Sequence, residues 1–211
     1  GTVGGETAEL LNGPALDATA LQEIQGRRFR TQLQRGMQET TYYATLSAEL
    51  GLDAKKLTLA DRHRLPLTDK AALRQMPAAF LRRGQTPTFS TLTTGTTGTP
   101  TALFFTAQEM ATYVALAAIS FLLQGAISDE DIVQVSTSAR ALLGNGVFMG
   151  ACQRVGALVY QTGIIEPAQT LALLAEPRAI PGKKARPSIL MTYPSYLGKL
   201  IETGQRLLTV P

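Results

Sequence analysis

The sequence has 211 residues, 45% hydrophobic and 17% charged, with a net charge of +4 at neutral pH. That is enough apolar material for one large domain or two small ones, while the basic residues are too scattered, and too free of interleaved aromatics, for a nucleic-acid-binding surface. A single cysteine, Cys152, and a single histidine, His63, exclude an internal disulfide framework and argue against both a zinc cluster and a Ser-His-Asp triad.

In chain order, residues 1–18 are glycine-rich and carry little pattern, so poor order is expected there. The start at Gly1 in place of Met suggests processing, and no basic start followed by an apolar core marks a signal peptide. Residues 19–50 read as two helices. Thr19 is the expected first cap, with Gln22 three residues on. The second helix, Thr40 to Leu50, gathers Tyr43, Leu46 and Leu50, and Gly51 is a fitting stop. Asp53 to Leu59 connects. Pro66 disfavours helix at Leu65. Thr68 is then expected to cap a short helix with Asp69 in its first turn.

Phe89 to Thr106 reads as strand, tight loop, strand. At its centre stand Thr93, Thr94, Gly95, Thr96, Thr97, Gly98 and Thr99, followed by Pro100 and Thr101. Glycines free the backbone to turn, and successive N–H and hydroxyl groups suit a phosphate. The loop is no Walker motif, because no lysine lies between Lys70 and Lys183 and a strand follows it, and it is no G-x-G-x-x-G. On these residues alone, a threonine-rich turn without a ligand is equally available.

Thr106 and Glu109 form a capping box that opens a long helix ending at Gly125. The apolar run from Met110 to Ile127 contains polar residues and has no Lys or Arg between Arg83 and Arg140, so a buried helix is expected and not a membrane span. Beyond it the pattern alternates. Strands are expected at 131–136, 156–161 and 187–192, loop and helix at 144–154, and helices at 167–175 and 193–207, with Pro194 in a first turn. Cys152 reads as a small packed residue. The whole argues an α/β fold, a mostly parallel sheet with flanking helices. A helical segment over 19–85 precedes the α/β part over 86–211.

Several of these residues line up with one family. Thr93 to Thr101, TTGTTGTPT, resembles the phosphate-loop signature of the adenylate-forming superfamily, the acyl- and aryl-CoA ligases. Leu65 to Arg74, LPLTDKAALR, is similar to the LP-x-T-x-K-x-x-LR segment of the phenylacetate–CoA ligase branch. Tyr42-Tyr43 sits where that branch has an aromatic pair, and Gly146 to Gly163 and TYPSYL at 192–197 also resemble it. The resemblance covers about residues 20–205. It implies a partial N-terminal domain of a cytoplasmic ligase that uses ATP with Mg2+ to activate a small carboxylic acid as acyl-AMP, then passes it to a thiol such as coenzyme A. The implied site is a loop, Thr93 to Thr99, for the ATP phosphates, and an acid pocket around Ala141–Met149, with Asn145, Gly146, Tyr193 and Tyr196. No catalytic side chain and no protein-held metal are implied.

Two departures qualify the resemblance. The family places a lysine beside the loop proline, whereas Thr99 and Thr101 flank Pro100 here. Its later motifs, the Tyr-x-x-x-Glu segment, the ribose-binding aspartate and the late lysine, have no match, which implies that the C-terminal half is the absent partner. A non-catalytic module descended from such ligases, and a loading enzyme that serves a protein thiol, stay open. Apolar faces left by an incomplete domain suggest a homodimer.

Overall fold

The computed structural model describes residues 17–93, 100–138 and 141–209. Among these, 17–86 with 100–103 form one compact unit, and 87–93 with 104–209 form another.

The first unit is helical. Helix α1 (Ala18–Glu39) is capped by Asp17, whose Oδ1 accepts from Ala20 N at 2.7 Å. The expected cap, Thr19, lies inside the first turn, because a carboxylate two residues earlier already serves the free N–H groups. Thr40 closes α1 through its N–H to Gly36 O at 3.1 Å. It also opens α2 (Thr41–Glu49) by accepting from Tyr43 N at 3.3 Å. After α2, Leu52 N returns to Ser47 O at 2.8 Å around Gly51. A 3-10 turn at Leu59–Arg64 is boxed by Thr58 and Asp61, and the Thr58 hydrogen bonds lower the Asp61 pKa. Helix α3 (Lys70–Gln75) is capped by Asp69, which accepts from Ala72 N at 2.8 Å. Thr68, expected there, instead pairs its hydroxyl with Tyr43 OH at 2.8 Å. A second 3-10 turn, Pro77–Phe80, lays Phe80 on Tyr42, with ring centroids 4.1 Å apart and 25° between planes. Arg82 pairs with Glu39, and Arg83 N donates to Glu39 O at 2.7 Å. Arg74 Nε donates to the hydroxyl of buried Thr101 at 3.1 Å.

Strands β1 (Phe89–Leu92) and β2 (Ala102–Phe105) pair as a two-stranded sheet. The six residues 94–99, at the heart of the expected phosphate loop, lie outside the described residues.

In the second unit, α4 (Ala107–Gln124) opens on the expected box. Glu109 N donates to Thr106 Oγ1 at 3.2 Å, and Thr106 N donates to Glu109 Oε2 at 2.7 Å. It ends at Gly125, where φ is +59° and Ala126 N returns to Phe121 O at 3.0 Å. The expectation of a buried helix needs correction. Only Ala118 of α4 is buried, while Tyr113, Leu116, Leu122 and Leu123 are 50%, 49%, 60% and 64% exposed. The helix is apolar around most of its circumference, but Val114 and Phe121 make its packing contacts on one side.

Strand β3 (Ile132–Ser136) is buried along its whole length, and helix α5 (Leu142–Val155) follows. The glycines of 144–150 suggested a loop before this helix, yet the helix is continuous through them. Gly150 explains one: a Cβ there would stand 3.1 Å from Val114 Cγ2, so its absence lets α4 and α5 approach. Strand β4 (Leu158–Gln161), helix α6 (Pro167–Ala175), strand β5 (Ile189–Thr192) and helix α7 (Pro194–Thr209) complete the unit.

The sheet order is β4-β3-β5, with both pairings parallel. Alternation along β3 separates two layers. Val133 and Val135 join Cys152, Phe148 and Phe121 of the α4–α5 side. Gln134 points the other way, with Nε2 3.5 Å from Thr170 O in α6. Handedness explains the arrangement. The chain steps from β3 to β4, then back past β3 to β5, so two right-handed crossovers put α5 and α6 on opposite faces.

Candidate functional site

A parallel sheet of this kind has a favoured place for a ligand. It lies outside the carboxyl ends of two neighbouring strands whose following helices go to opposite faces. Here β3 leads to α5 on one face, while both of its neighbours, β4 and β5, lead to α6 and α7 on the other. The α7 side is fixed by the buried pair of Thr170 Oγ1 in α6 and Tyr196 OH in α7, 2.8 Å apart.

Hydroxyls gather at these strand ends. Thr192 Oγ1, at the end of β5, donates to Ser136 O at 2.8 Å. Ser136 Oγ, at the end of β3, pairs with Thr162 Oγ1 just past β4 at 2.9 Å. Thr137 donates to Asn145 Oδ1 at 2.9 Å, and Asn145 Nδ2 donates to Ser138 O at 3.1 Å. Asn145 thereby clamps the turn that carries β3 into α5. It is buried, and both ends of its amide are engaged on that turn.

The other expected pocket residues divide. Gly146 is exposed, with no atom within 4 Å of where a Cβ would sit. Tyr193 follows Thr192 directly, is half-buried, and its carbonyl accepts from Tyr196 N and Leu197 N at 3.0 and 2.9 Å. Tyr196 is turned away. It is 6% exposed, and its hydroxyl donates to Ile165 O at 2.5 Å within the α6–α7 layer. Asn145 and Gly146 therefore lie in the first turns of α5 beyond β3, and Tyr193 directly after β5, while Tyr196 packs within the α6–α7 layer. Of the loop residues, Thr93 directly follows β1 and is half-buried. Thr94, Gly95, Thr96, Thr97, Gly98 and Thr99 lie outside the described residues.

Ser136, Thr162 and Thr192 were not among the expected site residues. Their signal is a hydroxyl at or just past the end of each parallel strand, visible only once the strands are aligned. Among the described residues, neither the single cysteine nor the single histidine joins these hydroxyls. Cys152 is fully buried, and burial pushes its thiol up to about 11. His63 sits in the other unit, exposed, with Nδ1 2.9 Å from Ala60 O. Among the described residues no group of His, Cys, Asp and Glu could hold a metal, and no helix is long and apolar enough to cross a membrane.

At the amino end of the sheet, Asp131 accepts from Lys184 Nζ at 2.5 Å, Ser188 Oγ at 2.6 Å, and Ser128 N and Oγ at 2.7 and 2.8 Å. Burial raises its pKa, but these donors outweigh burial and hold it well below the usual carboxylate range. This cluster fastens the start of β3 to the segment before β5.

Solved structures supply the comparison. The chain has the fold of part of a CoA ligase. It superposes on 2-hydroxyisobutyryl-CoA ligase in complex with 2-HIB-AMP and CoA in the thioesterification state, with a TM-score of 0.71 at 19% identity. An open conformation of that ligase with the same ligands gives 0.71 at 17%, and its postadenylation state with 2-HIB-AMP gives 0.71 at 18%. Each match covers 90% of this chain, which spans only about two fifths of the ligase, 41%, 41% and 40%. No protein-family model matches the sequence. No curated protein sequence matches it. The likeness is one of fold, carried by backbone and not by identity.

Proposed function

We propose that this chain is the N-terminal portion of an ATP-dependent carboxylate-activating ligase. The observation that carries the reading is the 90% coverage by a ligase that binds an acyl-AMP and CoA. The Thr/Gly stretch 93–101, between β1 and β2, adds to it. ATP with Mg2+ would supply the activated phosphorus that the acid's carboxylate attacks, with loss of pyrophosphate, and the CoA thiol would then take the acyl group. The chain's own contribution is positioning and hydrogen bonding, since such chemistry requires no protein nucleophile. Thr93 to Thr99 would hold the phosphates. The neutral crevice beside Ser136, Thr162, Thr192 and Tyr193 would receive the acid. The phenylacetate–CoA ligase branch is the finer assignment, supported by LPLTDKAALR and TYPSYL. Self-association through the exposed face of α4 is part of the same reading.

The lysine-free loop favours a second reading, a non-catalytic module derived from such ligases. Pyrophosphate release with ATP and a panel of acyl and aryl acids tests the first. The 211-residue chain alone is expected to give none, and robust turnover would overturn its being only a portion. In a longer ligase that contains this segment, Thr96→Ala with Thr97→Ala should abolish adenylation. Unchanged adenylation would favour the module.

A further inference from the structure

The proposed phosphate loop carries no charge of its own. No Lys or Arg lies between Arg83 and Arg140, so the loop, β1, β2 and α4 hold no cation. A triphosphate with one Mg2+ is still an anion, and neutral donors meet an anion less strongly than charged ones. The helical unit supplies a cation where the loop ends. Thr101, one residue past Pro100, is 4% exposed. Arg74, in the last turn of α3, donates from Nε to Thr101 Oγ1 at 3.1 Å, although 27 residues separate the two in sequence. Arg74 is half-buried, and among the described residues its guanidinium has no other hydrogen bond and no ion pair. The carboxylate at the start of its own helix is engaged elsewhere: Asp69 accepts from Ala72 N at 2.8 Å as the cap. Nearby charges are also committed, Arg82 to Glu39 and Arg64 to Asp61. One nitrogen of the Arg74 guanidinium is thus anchored to the chain that leaves the loop, and two remain to donate.

We propose that Arg74 supplies the positive charge for the phosphates, from α3, in place of a lysine within the loop. The inference rests on the reading of 93–101 as a phosphate loop and adds a residue which that reading did not assign. The bond from Nε to Thr101 fixes the plane of the guanidinium, and its two Nη groups present donors that suit phosphate oxygens. The part played is electrostatic. A guanidinium stays protonated, so no proton and no covalent bond passes through it. The proposal also gives the final arginine of LPLTDKAALR a chemical reason.

Phosphorus NMR titrations of the 211-residue chain with ATP and with pyrophosphate, each with Mg2+, separate this proposal from the reading beneath it. Wild type should bind both saturably. No binding by wild type would remove the phosphate site itself, and the role of Arg74 with it. Given wild-type binding, Arg74→Gln should weaken both ligands by about tenfold or more, and its residual binding should respond less to added salt. Arg74→Lys keeps the charge but loses the bond to Thr101, and should weaken them by only about threefold. Lys55→Gln removes an exposed cation elsewhere in the same unit and should change nothing. Wild-type affinity in Arg74→Gln, equal losses in Arg74→Gln and Arg74→Lys, or a comparable loss in Lys55→Gln would overturn the proposal. If circular dichroism shows that Arg74→Gln does not fold, Thr101→Val decides. It releases the guanidinium without removing its charge and should weaken both ligands, and unchanged affinity would count against the proposal.

Discussion

Asp131 stands at the entry to β3 with its carboxylate nearly buried and hydrogen bonds from Lys184, Ser188 and Ser128. Its folded pKa lies below the ordinary value of 3.8, so the unfolded chain takes up this proton first as pH falls. The stabilisation is therefore complete well above pH 3.8 and is lost as pH drops toward the folded value. Asp131→Asn should cost about 2–3 kcal/mol at neutral pH. Urea unfolding at pH 7 and near pH 3 should show the gap between wild type and variant narrowing in acid. Gly156 makes a second residue-scale case. Its φ is +101°, and an added Cβ would lie 2.9 Å from Asp129 Cβ. Gly156→Ala should destabilise by about 1–3 kcal/mol in the same measurement.

The pairing of α4 with α5 shows what local sequence signals convey and what they do not. The Thr106–Glu109 box and Pro167 mark helix starts that local chemistry alone can specify, and both helices begin there. Caps at Thr19 and Thr68 were misplaced because a carboxylate stands within two residues, and spacing does not say which side chain reaches the free N–H groups. The glycines of α5 read as breakers because their reason lies on another helix: Gly150 faces Val114. Gly150→Leu should cost about 1–3 kcal/mol through overpacking. Gly144→Ala, with no atom within 4 Å, should stabilise by about 0.5–1 kcal/mol. Thermal melts of the two variants should move in opposite directions. The site was legible in the same partial way. Asn145 and Tyr193 were expected from the family resemblance, whereas Ser136, Thr162 and Thr192 meet only after three separate segments pair in register. Tyr196 was assigned to the pocket because sequence order does not reveal that its hydroxyl serves Thr170 and Ile165.

At the scale of the molecule, the parallel α/β architecture was legible from alternating strands and helices, and handed crossovers turn that order into helices on both faces of the sheet. The fold is shared with about two fifths of a CoA ligase. We propose that this chain carries the phosphate-binding wall of a carboxylate-activating enzyme. Phosphorus NMR titration of ATP with Mg2+ against the 211-residue chain tests it most directly. The account predicts weak, saturable shifts of the β- and γ-phosphate resonances that vanish in Thr96→Ala with Thr97→Ala. An absence of shifts, or shifts that survive the double substitution, would contradict it.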